Sequence, residues 1–271
     1  TALAVDGALL HAVNHAVMKT LLFYAAGAFI LRVGLRRIDD FAGLGRKMPF
    51  TAGCYVLASF AIMGLPPFSG FVSKFLMIYA AMQAGYWPVA IVLLLGGIVG
   101  VVYYTRVVAT LFYRSYAGPS GVREAPATMC IANGLLAVGI VVAGVAPGWL
   151  LGLVAPIGAE LAAQGGQASP SLPNLVAAWP ASASLVMLGA VAVLLVGRHS
   201  VAWAGRLAVA VLVVAVAAVA LQAGHVDLLS LGFGLLIAGV GALNMLHSTA
   251  YLAHSHAQGR FYAAFMVMIA G

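Results

Sequence analysis

Long apolar runs recur from one end of this chain to the other, separated by short polar stretches. Many approach the ~20 residues that cross a bilayer as a helix. They predict helices over 7–31, 50–65, 68–84, 87–113, 127–146, 179–197, 201–222 and 228–252, with a ninth starting at 261. The interval 147–178 is different, because it holds Pro147, Pro156, Pro170 and Pro173. Within it, 148–164 reads as a short amphipathic helix and 165–178 as a linker. The expected fold class is all-α: a polytopic bundle of transmembrane helices.

Composition sharpens this. Of 271 residues, 64% are hydrophobic and 7% charged, against roughly 25% charged in a soluble domain. Most of the surface must therefore face something other than water. The net charge is +7, with 13 Lys and Arg against 6 Asp and Glu. The basic residues sit mostly at predicted helix ends, which fits membrane orientation and not nucleic-acid binding. Arg32, Arg36, Arg37, Arg46 and Lys47 outweigh Asp39 and Asp40 and place the 32–49 loop in the cytoplasm. Helix 50–65 then runs outward. Arg114 and Arg123 return to the cytoplasmic side if 68–84 and 87–113 together make one broken crossing. Irregular backbone at membrane depth is tolerated only where protein shields it or a cavity adjoins it. Arg198, Arg206 and Arg260 then fall on that same side. Cys54 and Cys130 lie in apolar runs and read as small buried hydrophobes. The chain opens at Thr1 almost directly into a helix and stops inside an apolar run, so a fragment of a longer protein is expected.

Few residues in such a chain can carry chemistry. His11, His15 and Lys19 are spaced i, i+4, i+8. At 3.6 residues per turn they form one stripe, with consecutive members roughly 6 Å apart along the axis, which one water can bridge. Lys19 is too deep for easy snorkelling, and a lysine there costs about 2.5–3.5 kcal/mol to insert. Facing a partner whose charge changes, such a lysine can load or release a proton. The plainer alternative for the stripe is a polar helix–helix contact. A zinc site on His11 and His15 is a third reading, weakened by the absence of the Glu of H-E-x-x-H and of an evident third ligand.

The second candidate is Met63-Gly64-Leu65-Pro66-Pro67-Phe68-Ser69-Gly70-Phe71-Val72-Ser73-Lys74. Gly64, Pro66, Pro67 and Gly70 interrupt an apolar stretch just before a lone lysine. Proline breaks a helix and removes an amide donor, so water or polar side chains should gather around the freed backbone groups. The alternative is an ordinary proline-rich loop with Lys74 at the interface. Arg106 is either the end of a proton wire or a side chain reaching the inner interface. His247 fits a polar contact between helices, and His254 and His256 a wet loop. No Gly-rich phosphate loop, catalytic triad or CxxC pair occurs. No metal or other cofactor is expected in this chain.

Three stretches resemble the antiporter-like membrane subunits shared by NADH:quinone oxidoreductase, membrane-bound hydrogenases and multi-subunit cation/proton antiporters. They are His11-Ala-Val-Asn-His15-Ala-Val-Met-Lys19-Thr-Leu-Leu-Phe23, Gly43-Leu-Gly-Arg-Lys-Met-Pro49 and Gly64-Leu-Pro-Pro-Phe-Ser-Gly-Phe-Val-Ser-Lys74. The wording is nearest the D-type antiporter subunit and its hydrogenase relatives, and covers roughly 1–146. The resemblance implies two inverted repeats, each with a discontinuous helix. His11, His15 and Lys19 would be the central relay of the second repeat, and Lys74 its terminal lysine. The first repeat's glutamate and lysine would lie upstream. A weaker resemblance, over Val226–Leu236, Leu246–Leu252 and Arg260–Tyr262, is to the early helices of another such subunit. The implied organisation is a C-terminal half-module over 1–146, an extracytoplasmic linker over 147–178, and the opening helices of a second, truncated module over 179–271.

The expected function is proton, or cation/proton, translocation along Lys19, Lys74, His11, His15 and Arg106. The chain would be a multi-pass subunit of a larger complex in a bacterial or archaeal cytoplasmic membrane. Its partners would be lipid and other membrane subunits, and its cargo protons, with sodium as an alternative. Two other readings stay open: a membrane anchor that moves no ions, and an intramembrane His-dependent metalloenzyme.

Overall fold

The computed structural model describes residues 2–34, 36–163, 188–193, 195, 196, 201–221, 228–251, 262 and 266. No strand occurs among them. The predicted linker 165–178, the first part of the predicted helix 179–197 and the start of the predicted ninth helix lie outside the described residues. So do His225, Asp227, His254, His256, Arg198 and Arg260. The chain forms two compact units, Thr1–Gly165 and Gly166–Gly271.

The first unit contains α1 (Ala2–Val33), two 3-10 turns (Ile38–Phe41 and Leu44–Arg46), α2 (Pro49–Met63), α3 (Ser69–Gln83), α4 (Trp87–Tyr113), α5 (Ala127–Val145) and α6 (Pro147–Ala163). α1 is the hub and packs against α2, α3, α5 and α6. Leu10, Met18, Leu21, Ala25, Ala28 and Phe29 on it are fully buried. α1, α4 and α5 are each long and apolar enough to cross a bilayer. α4 turns an apolar face outward, with Val92, Leu95, Val99 and Val102 exposed. In a membrane that face meets lipid or another apolar surface, not water. The segment predicted as a short helix before the linker is α6, and it packs on α1 and α5.

Side-chain contacts fix the direction of each crossing. The Gly43 amide donates to the Thr110 carbonyl at 3.0 Å, and Arg114 pairs with Asp39 at 2.8 Å. Arg32 donates to the Glu124 carbonyl. The loops 34–48 and 114–126 therefore share one end of the bundle, the basic end. α2 starts there, with Pro49 in its first turn, where a missing N–H costs nothing. It stops beside the middle of α1, where Ala61, Gly70 and Met18 meet. α3 continues in the same direction, from Ser69 beside Asn14 to Met77 beside Gly7. α2 and α3 are thus two halves of one crossing, each 15 residues long, or about 22 Å. α4 returns alone in 27 residues, about 40 Å.

This corrects the sequence reading, which placed the broken crossing over 68–84 and 87–113. Either arrangement brings Arg114 and Arg123 back to the basic end, so the charge pattern does not separate them. Depth does: the break falls at mid-bundle between α2 and α3, and α4 spans by itself.

Two glycines seat the break. A Cβ at Gly70 would overlap the Ala61 carbonyl oxygen, and one at Gly144 of α5 would overlap the Pro67 carbonyl oxygen. Gly64 closes α2 in the left-handed conformation, φ 87°, which carries no steric cost without a Cβ. Gly64 N then bonds Ala61 O and Leu65 N bonds Phe60 O, both at 3.0 Å, the Schellman arrangement.

In the second unit, α7 (Val201–Leu221) packs on α8 (Leu228–Tyr251). Ala204, Ala208, Leu212 and Ala215 form a small-residue seam around Met245, Tyr262 and Met266. The Tyr262 hydroxyl donates to the Ser248 carbonyl at 3.3 Å.

Gly144→Ala is expected to lower stability by about 1–3 kcal/mol, the usual cost of overpacking, because backbone and not a flexible side chain fills the space. Gly96→Ala on α4, with nothing within 4 Å of its Cβ position, should leave the unfolding midpoint unchanged or slightly raised. Thermal unfolding of the detergent-solubilised full-length protein compares the two.

Candidate functional site

A helix that ends inside a bundle leaves its last carbonyls without intrahelical donors. At the end of α2, Ala61 and Phe60 are satisfied by the Gly64 turn. Ile62 is satisfied by Lys74, whose ammonium donates to the Ile62 carbonyl at 2.6 Å. The lysine stem lies across Gly64. Lys74 sits in the second turn of α3, so a cation from one half-helix neutralises the negative end of the other half's dipole. The Pro66–Pro67 peptide between them is cis.

On α1, His11 places Nδ1 3.0 Å from the Ser73 hydroxyl, one residue before Lys74. Ser73 also donates to the Gly70 carbonyl at 3.3 Å. The hydroxyl has one proton, so while it is given to Gly70 the Nδ1 atom of His11 is the donor. His11 and His15 face each other with ring centroids 5.6 Å apart. His15 lies within electrostatic range of both Lys19 and Lys74, and His11 of Lys74. Lys19 points to the Tyr104 hydroxyl of α4 at 3.5 Å, the outer limit of a hydrogen bond. Asn14, 3% exposed, donates to the Ser69 carbonyl at 3.0 Å and ties α1 to the start of α3.

The structure therefore brings together four of the five predicted path residues, His11, His15, Lys19 and Lys74, with hydroxyls from α3 and α4. Arg106 stands apart. It is two residues beyond Tyr104, so about 200° round the helix, on the exposed face. Its guanidinium makes no hydrogen bond or ion pair among the described residues. No cluster of three His, Cys, Asp or Glu close enough to share a metal occurs among the described residues.

Sequence reasoning missed Asn14, Ser69, Ser73 and Tyr104. Asn14 was visible inside the H-x-x-x-H spacing, and Ser69 and Ser73 inside the break motif, but their partners lie 55 and 62 residues away. It also missed Glu124 at the opposite end of α2. That carboxylate accepts Phe50 N at 2.9 Å, Thr51 N at 3.4 Å and Thr51 Oγ1 at 2.6 Å.

Residues 1–100 match the family model described as NADH:quinone oxidoreductase/Mrp antiporter, TM. Over this stretch the chain is similar to that family. Among relatives of the antiporter-like stretch, NADH-quinone oxidoreductase subunit N of Desulforudis audaxviator is 36% identical over 155 residues, 52% of this chain and 31% of that protein. The subunit N of Geotalea uraniireducens is 36% identical over 146 residues, 54% of this chain and 31% of that protein. F(420)H(2) dehydrogenase subunit N of Methanosarcina mazei is 29% identical over 156 residues, 54% of this chain and 32% of that protein. The chain thus spans about a third of the length of these relatives. The match to a transmembrane family over this stretch and the three helices long and apolar enough to cross a bilayer make the chain an integral membrane protein.

Lys74→Met should cost stability by about 1–3 kcal/mol, since it leaves the Ile62 carbonyl buried without a donor. Tyr104→Phe gives up only the long contact to Lys19 and should cost less than about 0.5 kcal/mol. Unfolding midpoints of the two variants in one detergent decide the order.

Proposed function

We propose that the antiporter-like stretch carries protons through the bundle along Lys19, His15, His11 and Lys74, as part of one membrane subunit of a larger complex. The observation that carries this reading is the seating of Lys74. Its ammonium is held on a backbone carbonyl at a mid-bundle helix break, one residue from the serine that meets His11. A lysine bound that way has a resting partner it can leave and return to. Imidazoles exchange protons near neutral pH, and hydroxyls pass them on as both donor and acceptor. The relatives' names support the class, since they are subunits of NADH-quinone and F(420)H(2) oxidoreducing complexes.

Ordered from the α4 contact to the break, Tyr104 steadies Lys19, and His15 and His11 bridge Lys19 to Ser73 and Lys74. Ion pairing is weak along this line: no carboxylate is hydrogen-bonded or ion-paired to any of the four among the described residues. Their charge is thus set by each other and by water. Proton arrival at one lysine raises the cost of a proton on the next, which is how charge at one end biases release at the other. Arg106 lies off this line, and we assign it to the surface of α4. The resemblance of Val226–Leu236 and Leu246–Leu252 to early family helices supports reading residues 179–271 as the opening of a second module.

The test is proton uptake by vesicles carrying the full-length protein in its native complex. Lys74→Ala and Lys19→Ala should each reduce uptake at least tenfold, and Lys74→Arg should recover part of it. Arg106→Ala should leave it within twofold. Uptake unchanged by both alanine variants would instead favour a membrane anchor that moves no ions.

A further inference from the structure

The half-crossing α2 carries a stripe of hydroxyls. Thr51, Tyr55 and Ser59 are spaced i, i+4, i+8, so they share one face, with successive members roughly 6 Å apart along the axis. Thr51 and Ser59 are 0% exposed and Tyr55 8%. That face is turned into the bundle, where apolar side chains would pack without the cost of burying polar atoms. Both ends of the stripe lead to a charge. At the basic end the Thr51 hydroxyl donates to Glu124 Oε1 at 2.6 Å. Glu124 is only partly buried, on the loop 114–126, which leaves its carboxylate in reach of water. Further in, the Tyr55 hydroxyl interacts with the Ser59 side chain and lies in electrostatic range of Tyr104 on α4. Tyr104 in turn meets Lys19. The Tyr55 ring packs against Phe29 of α1, with centroids 6.1 Å apart. Ser59 gives its own proton to the Tyr55 carbonyl at 2.8 Å, so toward the Tyr55 hydroxyl its oxygen is an acceptor.

We infer that this stripe feeds Lys19 with protons from the basic end of the bundle. Glu124 takes up the proton, Thr51, Tyr55 and Tyr104 hand it inward, and Ser59 holds the Tyr55 hydroxyl in place. In each hop an oxygen accepts one proton as it gives up another, so the hydroxyls stay neutral and only Glu124 and Lys19 change charge. A water spans each step that the side chains leave open. The inference deepens the proton-path reading and rests on it: it names the residues that load Lys19 and the end from which they do so. Glu124 also caps α2, but the two roles use different bonds. The cap is the pair of amides Phe50 N and Thr51 N on Oε2, and the feed is the Thr51 hydroxyl on Oε1.

The test is proton uptake by vesicles carrying the full-length protein in its native complex. Tyr55→Phe keeps the ring against Phe29 and removes only the relay oxygen, and it should slow uptake at least fivefold. Thr51→Val leaves both amide bonds to Glu124, so the cap survives while the feed is cut, and uptake should fall at least threefold. Thr51→Ser restores the hydroxyl in a smaller side chain and should bring uptake back to within twofold of the parent. Tyr79→Phe, which removes an exposed hydroxyl on α3, should stay within twofold. Should Tyr55→Phe assemble poorly, the Thr51→Val and Thr51→Ser pair decides alone. Uptake within twofold of the parent in both Tyr55→Phe and Thr51→Val overturns the inference. So does a loss in Thr51→Val that Thr51→Ser fails to recover, because packing and not the hydroxyl would then be at stake. In either case Lys19→Ala still lowers uptake tenfold if the proton path holds, so failure of the feed is distinguishable from failure of the path.

Discussion

A carbonyl left open inside hydrocarbon has to find a donor, and the rest of the first unit is arranged around that need at Ile62. The prolines and Gly64 stop α2 halfway across the bundle, which frees backbone groups at a depth where bulk water cannot satisfy them. Two are answered by the Gly64 turn and one by the Lys74 ammonium. Each partner solves the other's problem: the lysine needs a negative group at that depth, and the helix end supplies one. The same contact sets the start of α3, and α3 in turn delivers Ser73 to His11 and the Ser69 carbonyl to Asn14. Gly70 and Gly144 let α2 and α5 close around the joint without side chains in the way. Replacing any of these features with a continuous helix would bury more apolar surface, but it would also remove the carbonyl on which the Lys74 ammonium rests at mid-bundle.

Much of this was legible in the sequence because it is local. The stripe of His11, His15 and Lys19 follows from helical period, and the break follows from Gly64, Pro66, Pro67 and Gly70 standing together in an apolar run. The helix bounds over 50–113 came out within a few residues, since Pro49, Gly64 and Pro88 punctuate them. Which crossing was broken did not, because loop charge counts sides and not depths; α2 and α3 had to be measured against α1 residue by residue. Asn14, Ser69, Ser73 and Tyr104 were illegible for the same reason. A serine in an apolar helix is unremarkable until a side chain on another helix is known to reach it. Arg106 shows the converse. Its sequence neighbourhood fitted the end of a wire and a side chain reaching the inner interface equally well, and the helix sets it about 200° round from Tyr104, which meets Lys19.

α2 itself is bracketed by opposite charges. At its first turn the Glu124 carboxylate takes amide hydrogens from Phe50 and Thr51 and the Thr51 hydroxyl proton. At its last turn Lys74 gives a hydrogen to Ile62. Both charges complement the dipole of the helix between them, so α2 is a polar rod joining the basic end of the bundle to its middle. Arg32 holds the Glu124 carbonyl from α1, and Asn14 holds the α3 side of the joint from the same helix. The broken crossing is therefore pinned to α1 at the basic end and at the break. Any movement of Lys74 off Ile62 would leave the α2 terminus uncompensated while Glu124 still anchors the other end. The cost of that movement falls on the break and not on the bundle as a whole. Such an arrangement allows a local rearrangement at mid-membrane without asking the surrounding helices to move.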